Sequence, residues 1–177
     1  MSSGIIIKRG ANINLRGEAE KLITEAQISK YFALKPDNFF NLVPRLLIKE
    51  GYSVAKGSPI FHAKHDPRIL FVSPISGVIK EIRRGAKRKI LEIVIENNKN
   101  TVVKHDVKPL AKMDRVSVIE TLLKSGAWPF IIQRPYGIIA EPDIKPKSIY
   151  VSTCSTAPLD VDYEFLLKND KVEFQLG

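Results

Sequence analysis

SPISGVIKEIRRGAKRKILEIVIE, residues 73–96, decides the fold because it predicts two β-strands joined by a tight, basic turn. Leu91, Ile93 and Ile95 fall on one face of the second strand, since alternate residues of a strand point to opposite faces. Gly85 is expected to allow the sharp reversal, because glycine adopts turn conformations that other residues avoid. The stretch therefore predicts a β-hairpin with one buried face.

The preceding segment repeats this design. Residues 60–64 predict a strand, residues 65–67 a turn, and residues 69–72 a returning strand. Two hairpins punctuated by glycine indicate a small, closed β-structure. A further strand is expected at residues 5–9, whereas residues 29–40 are predicted to form a loop because Pro-Asp-Asn lies among their aromatic residues.

The C-terminal third has a different pattern. Asp114 is predicted to cap a helix over residues 115–125, which has one apolar stripe and ends at Gly126. Residues 148–153 predict a strand of the kind buried in an α/β sheet, and residues 161–167 open a second helix. Because these elements do not complete a sheet, the chain is expected to be a fragment of a longer protein.

Composition narrows the function classes. A chain of 177 residues can bury a substantial core, and its single cysteine, Cys154, excludes an internal disulfide and a thiolate metal cluster. Cys154 is therefore expected to be an ordinary small thiol, and no apolar run is long enough to cross a bilayer. The net charge of +9 favours an anionic partner, which could be nucleic acid, a membrane surface or an acidic protein.

Several landmarks follow one another along nearly the whole chain. They are IKRG (7–10), LRG (15–17), VAKG (54–57), SPISG (73–77), RRGAKR (83–88), LEIVIE (91–96), LLKSGAW (122–128), RPY (134–136) and IYVSTCSTAPL (149–159). As an ordered set they resemble the NqrA family, whose members belong to the sodium-translocating NADH:quinone reductase, a respiratory complex of bacterial inner membranes. The resemblance implies an α+β fold: a barrel-sandwich hybrid β-domain of the lipoyl/biotinyl type in residues 1–112, followed by the start of a Rossmann-like α/β domain in residues 113–177.

The same resemblance implies a function. The complex transfers electrons from NADH to quinone and translocates sodium, so the chain is expected to lie peripherally on the cytoplasmic face of the bacterial inner membrane as part of that complex. Flavins and an iron–sulfur centre are expected in partner subunits, and this chain is expected to carry no covalent cofactor, metal or catalytic residue. The isolated fragment is expected to be inactive.

Two aromatic segments match regions that the family associates with quinone. Phe39 and Phe40 lie in the first, and Arg134 and Tyr136 lie in the second. The aromatic rings could flank a quinone ring, and Arg134 could donate to one of its carbonyl groups. The alternative is that these aromatic residues fill the core or the seam between domains.

The basic turn predicts a docking surface for a partner subunit or for lipid headgroups, formed by Arg83, Arg84, Lys87 and Arg88. The alternative is a solvated hairpin tip. Nucleic-acid binding is not expected, because exposed aromatic residues are not interleaved with the cations. A second hypothesis is a lipoyl-like or biotinyl-like carrier or assembly module without quinone contact, with Lys64 close to the modified position.

Overall fold

A computed structural model of the chain describes residues 10, 16–17, 20–105, 112–152, 157 and 160–176. The strand predicted at residues 5–9 and the thiol of Cys154 lie outside these residues. The chain divides into two compact units, a larger unit of residues 28–145 and a smaller unit of residues 1–27 with 146–177. The predicted domain boundary at residue 112 falls inside the larger unit and stays a prediction.

Antiparallel strands build most of the larger unit. The strands are β1 (Tyr31–Leu34), β2 (Pro44–Leu46), β3 (Ser53–Val54), β4 (Pro59–Ala63), β5 (Leu70–Val72), β6 (Gly77–Arg84), β7 (Ile90–Asn97), β8 (Ile132–Gln133) and β9 (Ile138–Ile139). They form a four-stranded sheet in the order β1-β7-β6-β3, a three-stranded sheet in the order β2-β4-β5, and the hairpin β8-β9. Both predicted hairpins, β4-β5 and β6-β7, are confirmed.

The loop predicted at residues 29–40 is wrong, because it contains β1. Tyr31 pairs with Glu96 and Leu34 pairs with Ile93, so this segment is the edge strand beside β7. Its alternation of exposed and half-buried residues matches a strand with one face on the core. The Pro-Asp-Asn sequence forms a short 3-10 helix, Pro36–Asn38, which follows the strand.

The turn of the β6-β7 hairpin differs from its prediction in two ways. Ile93 and Ile95 are fully buried as expected, but Leu91 is 43% exposed. The register between β6 and β7 shifts between Arg83 and Arg84, and this irregularity interrupts the alternation of faces near the turn. Gly85 has a φ of −98°, so it does not provide the left-handed conformation of the reversal.

The helix predicted over residues 115–125 is confirmed as α1 (Arg115–Ser125). The Asp114 carboxylate accepts a hydrogen bond from the backbone N–H of Ser117 at 2.9 Å, and Gly126 ends the helix with a φ of 75°. Leu123 of α1 and Trp128, which follows it, join one hydrophobic core with residues of β4, β6 and β7. The start of the predicted α/β domain is therefore packed on the β-structure.

The smaller unit contains two short helices in its described residues, α2 (Tyr163–Leu166) and α3 (Lys171–Leu176). The helix predicted at residues 161–167 is confirmed by α2, which Asp162 caps. The buried strand predicted at residues 148–153 is wrong over residues 148–152, where Ile149 is 77% and Tyr150 is 92% exposed. A buried strand needs neighbouring strands, and the described part of this unit contains none.

Candidate functional site

A cleft of about 500 Å³ opens on the larger unit. Its walls come from the segment after the first 3-10 helix, from the end of β4 and from β9. The lining residues are Phe40, Asn41, Leu42, Val43, Lys64, His65, Ile138, Ile139 and Glu141. Small-molecule sites typically measure ~300–1,000 Å³ and combine apolar walls with a few polar groups. The volume of the cleft lies within this range, and its lining combines apolar and polar residues.

Residues 40–43 form the first wall. Phe39 turns inward, where its ring lies 4.8 Å from that of Phe71 and 5.9 Å from that of Phe130, both edge to face. Phe40 turns outward and is 71% exposed, and the next residue, Asn41, has a left-handed φ of 57°. Only Phe40 of the two predicted aromatic residues lines the cleft, whereas Phe39 packs against the core.

The β8-β9 hairpin contributes Ile138 and Ile139 to the lining of the cleft. The indole N–H of Trp128 donates to the carbonyl oxygen of Ala140 at 2.8 Å, which fixes the chain directly after β9. Arg134 and Tyr136 lie in the turn of the hairpin, where both are exposed and neither lines the cleft. Of the four predicted quinone residues, only Phe40 lines the cleft, and the lining residues Ile138 and Ile139 come directly after the second predicted segment.

Polar groups of the cleft come from positions that were not predicted as quinone ligands. The backbone N–H of Lys64 donates to the carbonyl oxygen of Val43 at 2.9 Å, which holds the end of β4 against the first wall. Lys64 and His65 provide N–H donors, and Glu141 provides a carboxylate. In the sequence, Lys64 and His65 are two polar residues in a hairpin turn, and the sequence around them contains no signal that they line a cleft.

Arg68 connects the two sides of the cleft. Its guanidinium contacts Asp66 at 2.7 Å and Asp143 at 2.6 Å, and a second bond at 2.9 Å makes the pair with Asp143 bidentate. These hydrogen bonds lower the pKa of both carboxyl groups below the usual range and raise that of Arg68. Asp66 is adjacent to His65, and Asp143 is two residues from Glu141, so the pairs tie the turn after β4 to the segment after β9.

Comparison with known families decides the identity. A family model described as the NqrA N-terminal barrel-sandwich hybrid domain matches residues 5–98, and one described as the NqrA second alpha/beta domain matches residues 113–177. The chain belongs to the NqrA family. The predicted fold class, a barrel-sandwich hybrid β-domain followed by an α/β domain, is confirmed by these two matches.

Curated relatives are named as the A component of the Na(+)-translocating NADH-quinone reductase. The chain is 33% identical over 177 residues to the protein of Tolumonas auensis, a match that covers 98% of this chain and 40% of the relative. It is 32% identical over 176 residues to the proteins of Histophilus somni and Neisseria gonorrhoeae, again over 98% of this chain, with 40% and 39% of the relatives. The chain thus spans about two fifths of the length of these relatives.

The two NqrA family matches meet at the cleft. Phe40 to His65 lie within the N-terminal match, and Ile138 to Glu141 lie within the second match. All of these residues belong to the larger unit, whose single core extends from β4 to β9. The cleft is therefore built from both matched NqrA domains.

The basic turn of this NqrA chain is the second candidate site. Arg83 contacts Glu81 at 2.9 Å and Glu92 at 2.5 Å, and these carboxylates raise its pKa. Arg84, Lys87 and Arg88 are exposed, and none of the carboxylates in the described residues forms an ion pair with them. Three of the four predicted docking cations are therefore available to a partner.

None of the described helices combines the length and apolar character needed to span a membrane.

Proposed function

We propose that this chain belongs to a membrane respiratory complex that couples NADH oxidation and quinone reduction to sodium translocation. The family membership and the names of the relatives support this role. The chain spans about 40% of the length of the Tolumonas auensis relative, so it contributes to the activity as part of that longer protein in this proposal. Its partners in the proposal are the other subunits of the complex, at the cytoplasmic face of the inner membrane.

The chain contributes a quinone-binding cleft in this proposal. A quinone has a flat apolar ring, two carbonyl acceptors and an isoprenoid tail, so its site needs apolar walls and a few donors. Phe40, Ile138 and Ile139 can contact the apolar ring. The observation that carries the proposal is that two side chains with N–H donors, Lys64 and His65, line the same cleft as these apolar residues.

Binding and orientation are the chemical role of the described residues. Lys64 and His65 can each donate a hydrogen bond to a carbonyl oxygen of the ring. The electrons would come from flavins and an iron–sulfur centre held by partner subunits, and no covalent cofactor is assigned to this chain. The predicted inactivity of the isolated chain follows from this division of roles.

A fluorescence titration tests the cleft. Trp128 is the only tryptophan of the chain, and its indole N–H donates to the carbonyl oxygen of the residue after Ile139, which lines the cleft. Its fluorescence should therefore report binding of a short-tail quinone. Saturable quenching is expected, and Phe40→Ala should weaken the affinity about 2- to 10-fold, the effect of losing one aromatic contact of ~0.5–1.5 kcal/mol.

Tyr52→Ala is the matched control, because Tyr52 is also exposed and aromatic, lies in the same unit and does not line the cleft. It should leave the affinity unchanged. Quenching that does not saturate, or an equal loss in both variants, would exclude a quinone site in this cleft.

A further inference from the structure

The tip of the β6-β7 hairpin, residues 84–91, combines paired and unpaired cations. Lys89 contacts Asp37 at 2.7 Å, and the neighbouring Arg83 is held by two glutamates. Arg84 makes a hydrogen bond of 3.4 Å to the carbonyl oxygen of Arg88, which leaves the charge of its guanidinium uncompensated. The ion pairs in the described chain therefore neutralise the base of the tip and leave Arg84, Lys87 and Arg88 charged toward solvent.

The backbone of the tip is strained at two of these cations. Lys87 has φ 53° and ψ 29°, and Arg88 has a φ of 61°. Two consecutive left-handed residues make a turn for which Asn-Gly is the favoured sequence, because a Cβ atom disfavours this conformation. Local strain that is retained in a native fold is a reason to look for a function of the residues that carry it. Here those residues are two long cationic side chains.

An apolar side chain accompanies the cations. Leu91 is 43% exposed and lies over Gly85, where an added Cβ atom would be 3.2 Å from a Leu91 methyl group. The small residue lets Leu91 rest on the turn instead of entering the core. Cations beside an exposed apolar group are the combination that binds to the interface of an anionic bilayer.

We propose that this hairpin tip binds the anionic surface of a phospholipid bilayer, with Arg84, Lys87 and Arg88 at lipid phosphates and Leu91 at the level of the headgroups. A lipid surface is favoured over an acidic protein because the exposed Leu91 lies beside the cations. An apolar side chain next to cations can enter the interface of an anionic bilayer, whereas an acidic protein surface would meet the cations alone. The proposal does not depend on quinone binding.

The expected size of the effect follows from the number of cations. One Lys or Arg beside an anionic bilayer contributes about a fivefold gain in partitioning, so the three unpaired cations together give roughly 100-fold. The attraction falls off within a Debye length of about 8 Å at physiological salt, and binding should therefore weaken as salt is raised.

Vesicle flotation of the whole chain tests the proposal, with vesicles of phosphatidylcholine alone and of phosphatidylcholine mixed with phosphatidylglycerol. The test variant is Lys87→Asn with Arg88→Gly, which removes two charges and introduces the favoured turn sequence. It is expected to bind the anionic vesicles roughly 25-fold more weakly while its unfolding midpoint rises. The rise in midpoint separates lost docking from lost folding.

Lys56→Gln with Lys104→Gln is the control, because it removes the same charge from exposed lysines near the end of the hairpin opposite the turn. It should float like the unaltered chain. Equal binding of the turn variant and the unaltered chain, equal loss in the control, or no preference for anionic vesicles would each overturn the proposal. Binding of a polyglutamate peptide through the tip, without binding of vesicles, would overturn it in favour of an acidic protein partner.

Discussion

Gly126→Ala tests how the helix α1 is fixed to the β-structure. Gly126 ends α1 with a left-handed φ of 75°, and an added Cβ atom would lie 2.7 Å from both methyl groups of Val72 in β5. An ordinary contact is 3.4–4 Å, so Val72 must shift by more than half an ångström or the helix must move. The left-handed backbone costs roughly 1–2 kcal/mol and the overpacking roughly 1–3 kcal/mol, which predicts a loss of about 2–5 kcal/mol in the free energy of unfolding.

Urea unfolding followed by the fluorescence of Trp128 measures this loss. Gly137→Ala is the matched control, since Gly137 has a similar φ of 70° but no atom within 4 Å of the added Cβ. It should lose only the backbone contribution, roughly 1–2 kcal/mol. Val72→Ala removes the clashing methyl groups and should make Gly126→Ala less costly in a double-mutant cycle. Equal losses at the two glycines, or no coupling with Val72, would refute the packing of α1 on β5.

Two further predictions concern polar contacts. Arg68→Gln should lower the urea midpoint near neutral pH. The hydrogen bonds to Arg68 lower the folded-state pKa values of Asp66 and Asp143 below the ordinary value of 3.8. Their stabilising contribution is therefore present above that pH and is lost as the pH falls through the folded-state pKa values. The difference from the unaltered chain should therefore disappear in acid, whereas Arg45→Gln, an exposed control, should show no such pH dependence. Asp114→Ala should cost about 1 kcal/mol of unfolding free energy, because the N-cap bond to Ser117 is lost, and Asp114→Asn should cost less because it keeps an acceptor oxygen. Equal losses in the two Asp114 variants would argue against the cap.

Local signals in the sequence were sufficient for several elements. The helix α1 was predicted at its observed bounds because its two ends are determined by local residues. The Asp114 carboxylate accepts a hydrogen bond from a backbone N–H of the first turn, and the N–H of Gly126 donates to carbonyl oxygens of the last turn. The hairpins were predicted because strand alternation and turn residues occur close together. In contrast, β1 forms because it pairs with the neighbouring strand β7. Residues 148–152 do not form a strand, and the described part of their unit contains no strand with which they could pair. Strand pairing is a tertiary property that these segments do not encode alone.

The candidate site was only partly predictable for the same reason. The family resemblance and their aromatic character predicted Phe39 and Phe40 as quinone residues, but a backbone turn decides that one packs on Phe71 and the other lines the cleft. Lys64 and His65 line the cleft because β4 ends there, and Ile138 and Ile139, which line the same cleft, lie more than 70 residues later in the sequence. A local sequence pattern carries no information about a contact over that separation. The basic turn was predicted as a charged surface, whereas the left-handed conformation of Lys87 and Arg88 and the exposure of Leu91 were not predicted.

Peptide mass spectrometry can map where a photoreactive short-tail quinone attaches to the chain, and it therefore reports where the quinone lies. Labels are expected in residues 40–43, 64–65 and 138–141, and competition by unlabelled quinone should remove them. Competed labels confined to other segments, or none above background, would contradict a quinone site in this cleft.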